Sequence, residues 1–259
     1  RLKAQGGNSV KNYNQPRREQ RQQVVEAARQ ENMLVVAEGG SLFGMDMALV
    51  ADGNSTLEHN IPLEIFYDDV VQMFSQSQTN YTPTLVVSYG GLAGDPYWRQ
   101  ATNVWENPLL VHTPPKILAA ATARRTTAPE SNFVDDDNAR EAKKLADAGV
   151  KVAIGAHGQQ PGIGSHWELW SFVRGGMKPV EALAAGTIES ARSLGMDADI
   201  GSLEPGKLAD LLVLDADPTA DIRDSDKIDR VMLNGRMYDP LTMNEVETGS
   251  RKRAPHWWE

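Results

Sequence analysis

Short apolar runs that stop at glycine, separated by stretches with helical spacing, constrain this chain more than any other feature. "MLVVAEGG" (33–40), "YTPTLVVSYGG" (81–91) and "VKVAIGAHG" (150–158) each read as a strand buried on both faces. "GNSVKNY" and "STLEHN" read as shorter strands. Between them lie helix candidates: "PRREQRQQVVEAARQEN", "SLFGMDMALVADG", "LEIFYDDVVQMFSQSQ" and "AREAKKLADAG". Leu63, Phe66, Val70 and Phe74 fall near one face of the third, and Gly149 stops the fourth. "HWELWSFVRGG" and "KPVEALAAGTIESARSLG" add two more helices, the second opened by Pro179. This alternation predicts an α/β fold of parallel βα units. Folds of that kind bind ligands at the C-terminal ends of their strands, where Lys11, Glu38, His59, Ser88-Tyr89 and His157 all fall.

The rhythm changes at Asp199. "IGSLEPGKLADLLVLDADP" and "KIDRVMLNGRMYD" read as β-hairpins turning at Glu204-Pro205-Gly206 and Asn234-Gly235. Residues 1–198 are therefore expected to form one unit, and residues 199–259 a small β segment and tail. A long insert from Leu92 to Asn138, holding Trp98, Trp105 and His112, interrupts the βα pattern and is either a specificity element or a packing excursion.

Composition narrows the chemistry. The 259 residues carry a net charge of −9, so there is no basic surplus to neutralise a nucleic-acid backbone. The absence of cysteine removes disulfides, thiolate metal sites and cysteine nucleophiles together. No apolar run reaches the ~20 residues of a membrane-spanning helix. Neither G-x-S-x-G, H-E-x-x-H nor a phosphate-binding GxxxxGK[ST] occurs. Taken alone, Lys11 reads as a solvated lysine, His59 as a hydrogen-bonded core histidine and Asp210 as a turn residue. Glu38, at the end of an apolar strand, must be paired, hydrated or metal-bound. Together Glu38, His59 and His157 offer the mixed oxygen and nitrogen donors that Zn²⁺, Mn²⁺ or Fe²⁺ accept.

"AGVKVAIGAHG", "GGMKPVEALAAGTIESARSLGMDADIGSLEPGKLADLLVLDADP" and "VMLNGRMYD" resemble the C-terminal portion of the amidohydrolase superfamily. The likeness is to its prolidase- and imidazolonepropionase-like members, in the subgroup often fused to a Tol-type β-propeller. It implies a partial (β/α)8 TIM-type barrel, about strands 4 to 8, plus the C-terminal part of a small β-sandwich. It implies a divalent metal centre of one or two ions, most naturally zinc. By position, Lys11 would be the carboxylated lysine of the fourth strand, and His59 the histidine ligand of the sixth. Two positions depart from the pattern: Glu38 stands where the fifth-strand histidine belongs, and His157 stands where the eighth-strand aspartate belongs. No HxH pair occurs in the chain.

The expected activity is hydrolysis of an amide, peptide or cyclic-amide C–N bond by metal-activated water. Glu38 and His157 would be catalytic, with Lys11, Glu38, His59 and His157 on the metal. Tyr89 and His166 would contact a small-molecule or peptide substrate, and His166 and Glu168 would orient His157. The alternative is a non-catalytic relative with a degenerate metal site. Since the chain opens in mid-pattern, the N-terminal remainder of the same protein is expected to complete the barrel, and an open piece is expected to be inactive without it. Localisation and self-association into a homo-oligomer stay open.

Overall fold

A computed structural model describes residues 1–13, 15–123 and 125–259, and the side chains of 120–123 are outside that description. Arg124, within the long insert, also lies outside the described residues. The first half is a four-stranded parallel sheet of β1 (Ser9–Asn12), β2 (Leu34–Glu38), β3 (Thr56–Glu58) and β4 (Asn80–Thr82), in chain order. Crossovers α1 (Arg18–Gln30), α2 (Phe43–Ala51) and α3 (Asp68–Ser77) connect successive strands. The βα reading is correct here, and the sheet is parallel throughout.

Register divides the sheet cleanly. Asn12, Ala37, Leu57 and Tyr81 are level with one another on one face, each with no exposed surface. That face is sealed by Leu49 and Val50 of α2 and by Phe74 of α3, whose ring meets Tyr81 edge-on at 5.6 Å. Lys11, Glu38, Thr56, Glu58 and Thr82 occupy the opposite face by strand alternation.

Several sequence expectations change. The run at 81–91 is not one strand: Pro83 supplies no ladder N–H, so β4 ends at Thr82. Thr84 turns left-handed (φ 54°) and Leu85–Val87 forms a 3₁₀ turn instead. The run at 150–158 contributes a single parallel bridge, Val152 to Tyr81. The helix at 63–78 starts only at Asp68, with Leu63 and Phe66 ahead of it as buried or half-buried loop residues. The helix at 178–195 breaks at Gly186-Thr187 into α8 (Pro179–Ala185) and α9 (Ile188–Ser193), preceded by α7 (Gly164–Arg174). The insert holds α4 (Gly94–Ala101) and α5 (Pro115–Ala123), and α6 (Asp135–Asp147) follows with three aspartates in its first turn, the end that favours negative charge.

Beyond Asp199, a three-stranded antiparallel sheet forms from β5 (Leu211–Leu214), β6 (Ile228–Leu233) and β7 (Arg236–Tyr238). The second hairpin is present: Asn234 and Gly235 both have positive φ (49° and 73°), the backbone of a two-residue type I′ turn. The first is absent. β5 pairs with β6, and Lys207 instead folds the 197–208 loop on itself by reaching the Asp197 carbonyl and Ser202 Oγ. Among the described residues, no helix is long and apolar enough to cross a membrane.

Phe74 joins the helix layer to the sheet with no exposed surface. Phe74→Ala is expected to lower unfolding stability by about 3–5 kcal/mol, read as a lower denaturant midpoint at unchanged slope. Leu212→Ala, on the half-exposed β5, should shift it by less than about 0.5 kcal/mol.

Candidate active site

Glu38 is the hub. One carboxylate oxygen, Oε2, lies 2.5 Å from Lys11 Nζ, and the other, Oε1, lies 3.1 Å from His59 Nε2. Lys11 reaches from β1, Glu38 ends β2, and His59 directly follows β3, so three successive strand ends meet in one cluster. His59 turns left-handed (φ 71°), which takes its ring out of the strand's alternation. The ring then packs 5.1 Å from His157 and 5.5 Å from Tyr89, centroid to centroid. His157 also turns left-handed (φ 54°) as it leaves the bridged segment, and its side chain is exposed. The structure thus brings together Lys11, Glu38, His59, Tyr89 and His157, at the C-terminal ends of parallel strands.

Three residues that sequence reasoning passed over shape this cluster. Glu58 lies on the same sheet face, level with Glu38, and accepts a hydrogen bond from Thr56 Oγ1 at 2.6 Å. The alternating Thr-x-Glu of β3 was a readable signal for it. Asn60 clamps Tyr89 by its backbone: Nδ2 donates to the Tyr89 carbonyl at 3.1 Å and Oδ1 accepts from the Tyr89 amide at 2.6 Å. Asp46, fully buried in α2, accepts from the Gly40 amide at 2.8 Å and so holds the loop that leaves Glu38. Gly39 is required at the start of that loop, because a Cβ there would stand 2.5 Å from the Glu58 carbonyl oxygen.

His166 does not join the cluster. It sits in α7 with Nδ1 3.0 Å from Ser225 Oγ, facing the C-terminal segment, and burial pulls it down to about 4. Glu168 does not touch His157 either. It is wholly buried and accepts from the Val86 amide at 2.7 Å, so it braces the turn after β4. Ser88 spends its hydroxyl on the Leu85 carbonyl.

The electrostatics follow from burial. Desolvation lowers His59 against the opposing pull of Glu38, with His157 adding to the fall, so the imidazole is neutral at pH 7. Desolvation raises Glu58, the hydroxyls of Thr56 and Thr82 oppose it, and the charge of Glu38 raises it further. Tyr89 is raised by burial and then by Glu38.

Neutral imidazole and carboxylate are the states in which these side chains bind a metal. Glu38, His59 and His157 therefore fit a divalent ion as donor types. In their present arrangement they do not form a closed cage: among the described residues, no group of three or more His, Asp or Glu side chains is placed to hold a metal. Glu38 is instead engaged by Lys11, an ammonium where the superfamily pattern would have a carboxylated amine.

Parallel βα units with polar side chains collected at their strand ends define an α/β domain. The amidohydrolase family model matches residues 17–238, and the chain belongs to that family. An imidazolonepropionase of Geobacillus kaustophilus (strain HTA426) is 38% identical over 89 residues, covering 33% of this chain and 21% of that protein. A 5-methylthioadenosine/S-adenosylhomocysteine deaminase of Moorella thermoacetica (strain ATCC 39073 / JCM 9320) is 31% identical over 156 residues, covering 51% of this chain and 36% of that protein. Among solved structures, a Xaa-Pro dipeptidase with methionine bound in its active site superposes with a TM-score of 0.64 at 22% identity. That match covers 92% of this chain and 56% of the dipeptidase. A putative prolidase from Bifidobacterium longum gives 0.63 at 25% identity, covering 98% of this chain and 58% of the prolidase. The chain thus spans just over half of these structures and smaller shares of the curated relatives.

Glu168 and Asp46 make stability fall as pH rises. Burial lifts Glu168 from 4.5 to about 8 and Asp46 from 3.8 to about 7. The folded state therefore holds protons that the unfolded chain has released, and it loses stability between about pH 4 and pH 8. Glu168→Gln keeps an acceptor for the Val86 amide. It should flatten the upper part of that slope in urea titrations across this range, and an unchanged slope would contradict the assignment.

Proposed function

We propose that this chain carries part of the active site of a metal-dependent hydrolase that cleaves a C–N bond in an amide, peptide or cyclic amide. The observation that carries this reading is that His59, beside the end of β3, meets Glu38 at the end of β2 and packs against His157, in a chain of the amidohydrolase family. Imidazolonepropionase, deaminase and Xaa-Pro dipeptidase relatives support C–N chemistry as the class.

In this reading Glu38, His59 and His157 are the donors for a divalent ion, with zinc matching the nitrogen and oxygen set, and Lys11 joins them once carboxylated. Held by these side chains, a divalent ion would supply Lewis acidity to a substrate carbonyl and to a water. His157 stands where the family's aspartate belongs; bound through one nitrogen it has no second lone pair to offer, so the free oxygen of Glu38 would take the proton of the attacking water and pass it to the leaving nitrogen. The turn at His157 is left-handed, and its ring meets that of His59 edge-on at 5.1 Å. Tyr89, fixed through its backbone by Asn60, faces the substrate. His166, committed to Ser225, has no part in it. The activity is proposed of the whole protein, since the chain spans just over half of the solved relatives and smaller shares of the curated ones.

One observation favours the second reading, a non-catalytic domain: Lys11 already neutralises Glu38, the residue a metal would need. The two readings separate on Glu38→Gln and His157→Asn in the natural protein, assayed on Xaa-Pro dipeptides and cyclic amides with zinc present. The hydrolase reading expects kcat to fall by about 10²–10⁴ in each variant. It also expects activity to vanish under chelation and to return with zinc. Hydrolysis unaffected by chelation and by both variants would overturn the metal-dependent mechanism. No hydrolysis of either substrate and no divalent metal bound at the strand ends of a well-folded protein would favour the non-catalytic reading.

A further inference from the structure

Away from the strand ends, the chain's two remaining histidines face each other across a long stretch of sequence. His112 closes a 3₁₀ turn of the insert (Pro108–His112), and His256 lies in the C-terminal tail. His112 Nδ1 is 3.4 Å from His256 Nε2, with the rings edge to face at 5.6 Å. His112 Nε2 lies 2.8 Å from the Pro240 carbonyl oxygen. A carbonyl can only accept, so Nε2 carries the ring proton of the neutral imidazole and Nδ1 is left with its lone pair pointing at His256. The ring of His256 is held from the other side by Trp258, stacked 4.2 Å away and within 7° of parallel. Both half-buried rings are therefore oriented by a partner other than each other.

The 3.4 Å gap is long for a hydrogen bond between the rings and matches a second use of this pair. A direct hydrogen bond between the rings would be shorter, with donor and acceptor about 2.7–3.2 Å apart. Two nitrogens each about 2.0–2.1 Å from a tetrahedral zinc stand about 3.3–3.4 Å apart, the edge of the tetrahedron. A carbonyl fixing the far nitrogen of a ligating histidine is also the usual outer support of a zinc-bound imidazole. The local charge is permissive: Arg253 is paired with Glu259 at 2.7 Å, and the same carboxylate accepts from the His256 amide at 3.0 Å.

We propose that His112 Nδ1 and His256 Nε2 form a second metal site, for zinc or a similar imidazole-seeking divalent ion, that staples the C-terminal tail to the insert. Water completes the coordination. The site is independent of the strand-end cluster and of the activity assigned to it.

The test uses the whole chain, stripped by chelation and titrated with zinc against a chromophoric competitor. The proteins compared are wild type, His112→Gln, His256→Gln and the double variant His59→Asn/His157→Asn. The expected result is that His112→Gln and His256→Gln each weaken one class of zinc sites by at least about tenfold, while the double variant retains that class. Zinc should also raise the Tm of wild type more than that of His256→Gln. His256 lies in the tail, so its variant keeps the test informative if His112→Gln folds poorly. Wild-type zinc stoichiometry and affinity in both His112→Gln and His256→Gln would overturn the proposal. Failure of the strand-end reading alone would leave the double variant indistinguishable from wild type.

Discussion

The in-register parallel pairing of β1 through β4 is the constraint on which the rest of the structure depends. Side chains alternate along a strand, so one choice of parity assigns every residue to a face. The observed parity levels Ala37, Leu57 and Tyr81 under α2 and α3, and it levels Glu38, Glu58 and Thr82 on the other side. A slip of β2 by one residue would bury Glu38 beneath the helices and turn Ala37 toward Lys11. The apolar seal and the charged cluster are thus two consequences of a single register. Neither can drift without destroying the other.

A second theme is how the loops at the strand ends are held. Glu141 from α6 accepts from the Phe66 amide at 2.7 Å, Glu168 from α7 accepts from Val86, and Asp46 from α2 accepts from Gly40. All three carboxylates are buried. Each is carried by a rigid helix and takes an amide from a loop that has left the ladder, which satisfies a backbone donor that would otherwise be buried unpaired. Burial of an acid is unfavourable in itself, and for Asp46 and Glu168 desolvation is the largest influence on the carboxyl. What it achieves is placement: Gly40 follows Glu38 by two residues, and Val86 precedes Tyr89 by three. The acids sit behind the site and fix its entry points.

What the sequence disclosed and what it withheld divide along the range of the interactions. β2 was legible because its apolar run is uninterrupted and ends at Glu38, whereas β3 has one apolar residue, Leu57, between Thr56 and Glu58. Lys11, Glu38 and His59 meet at the ends of β1, β2 and β3, whereas Tyr89 and His157 reach them through loops. Pro83 was visible in "YTPTLVV" and carries the reason that β4 stops, yet the apolar residues beyond it outweighed it in the reading. His166 misled because its partner, Ser225, is 59 residues away and no local pattern announces it. The hairpin expected over 200–218 is absent for the same reason: Pro205-Gly206 does make a turn, but β5 finds β6 across an intervening 3₁₀ segment (Ile222–Asp226). Asn60 was in plain view in "LEHN", but its role requires the Tyr89 backbone to arrive from another loop.

Charge bookkeeping at the cluster gives the proposed function its sharpest form. With His59 neutral, the ammonium of Lys11 and the carboxylate of Glu38 sum to zero, and Glu58 is pushed toward its protonated form. A divalent cation gains little from a neutral pocket and would have to displace the ammonium from Glu38. Deprotonation of the Lys11 ammonium and addition of carbon dioxide to the freed amine, two protons leaving to solvent in all, would change that balance by two charges, from an ammonium to a carbamate. Lys11 and Glu38 would then present two negative charges side by side, matching one divalent ion, while His59 and His157 contribute neutral nitrogens. Within this reading the 2.5 Å pair is the resting form of the site, and the state of one lysine decides whether the strand ends hold a metal or a salt bridge.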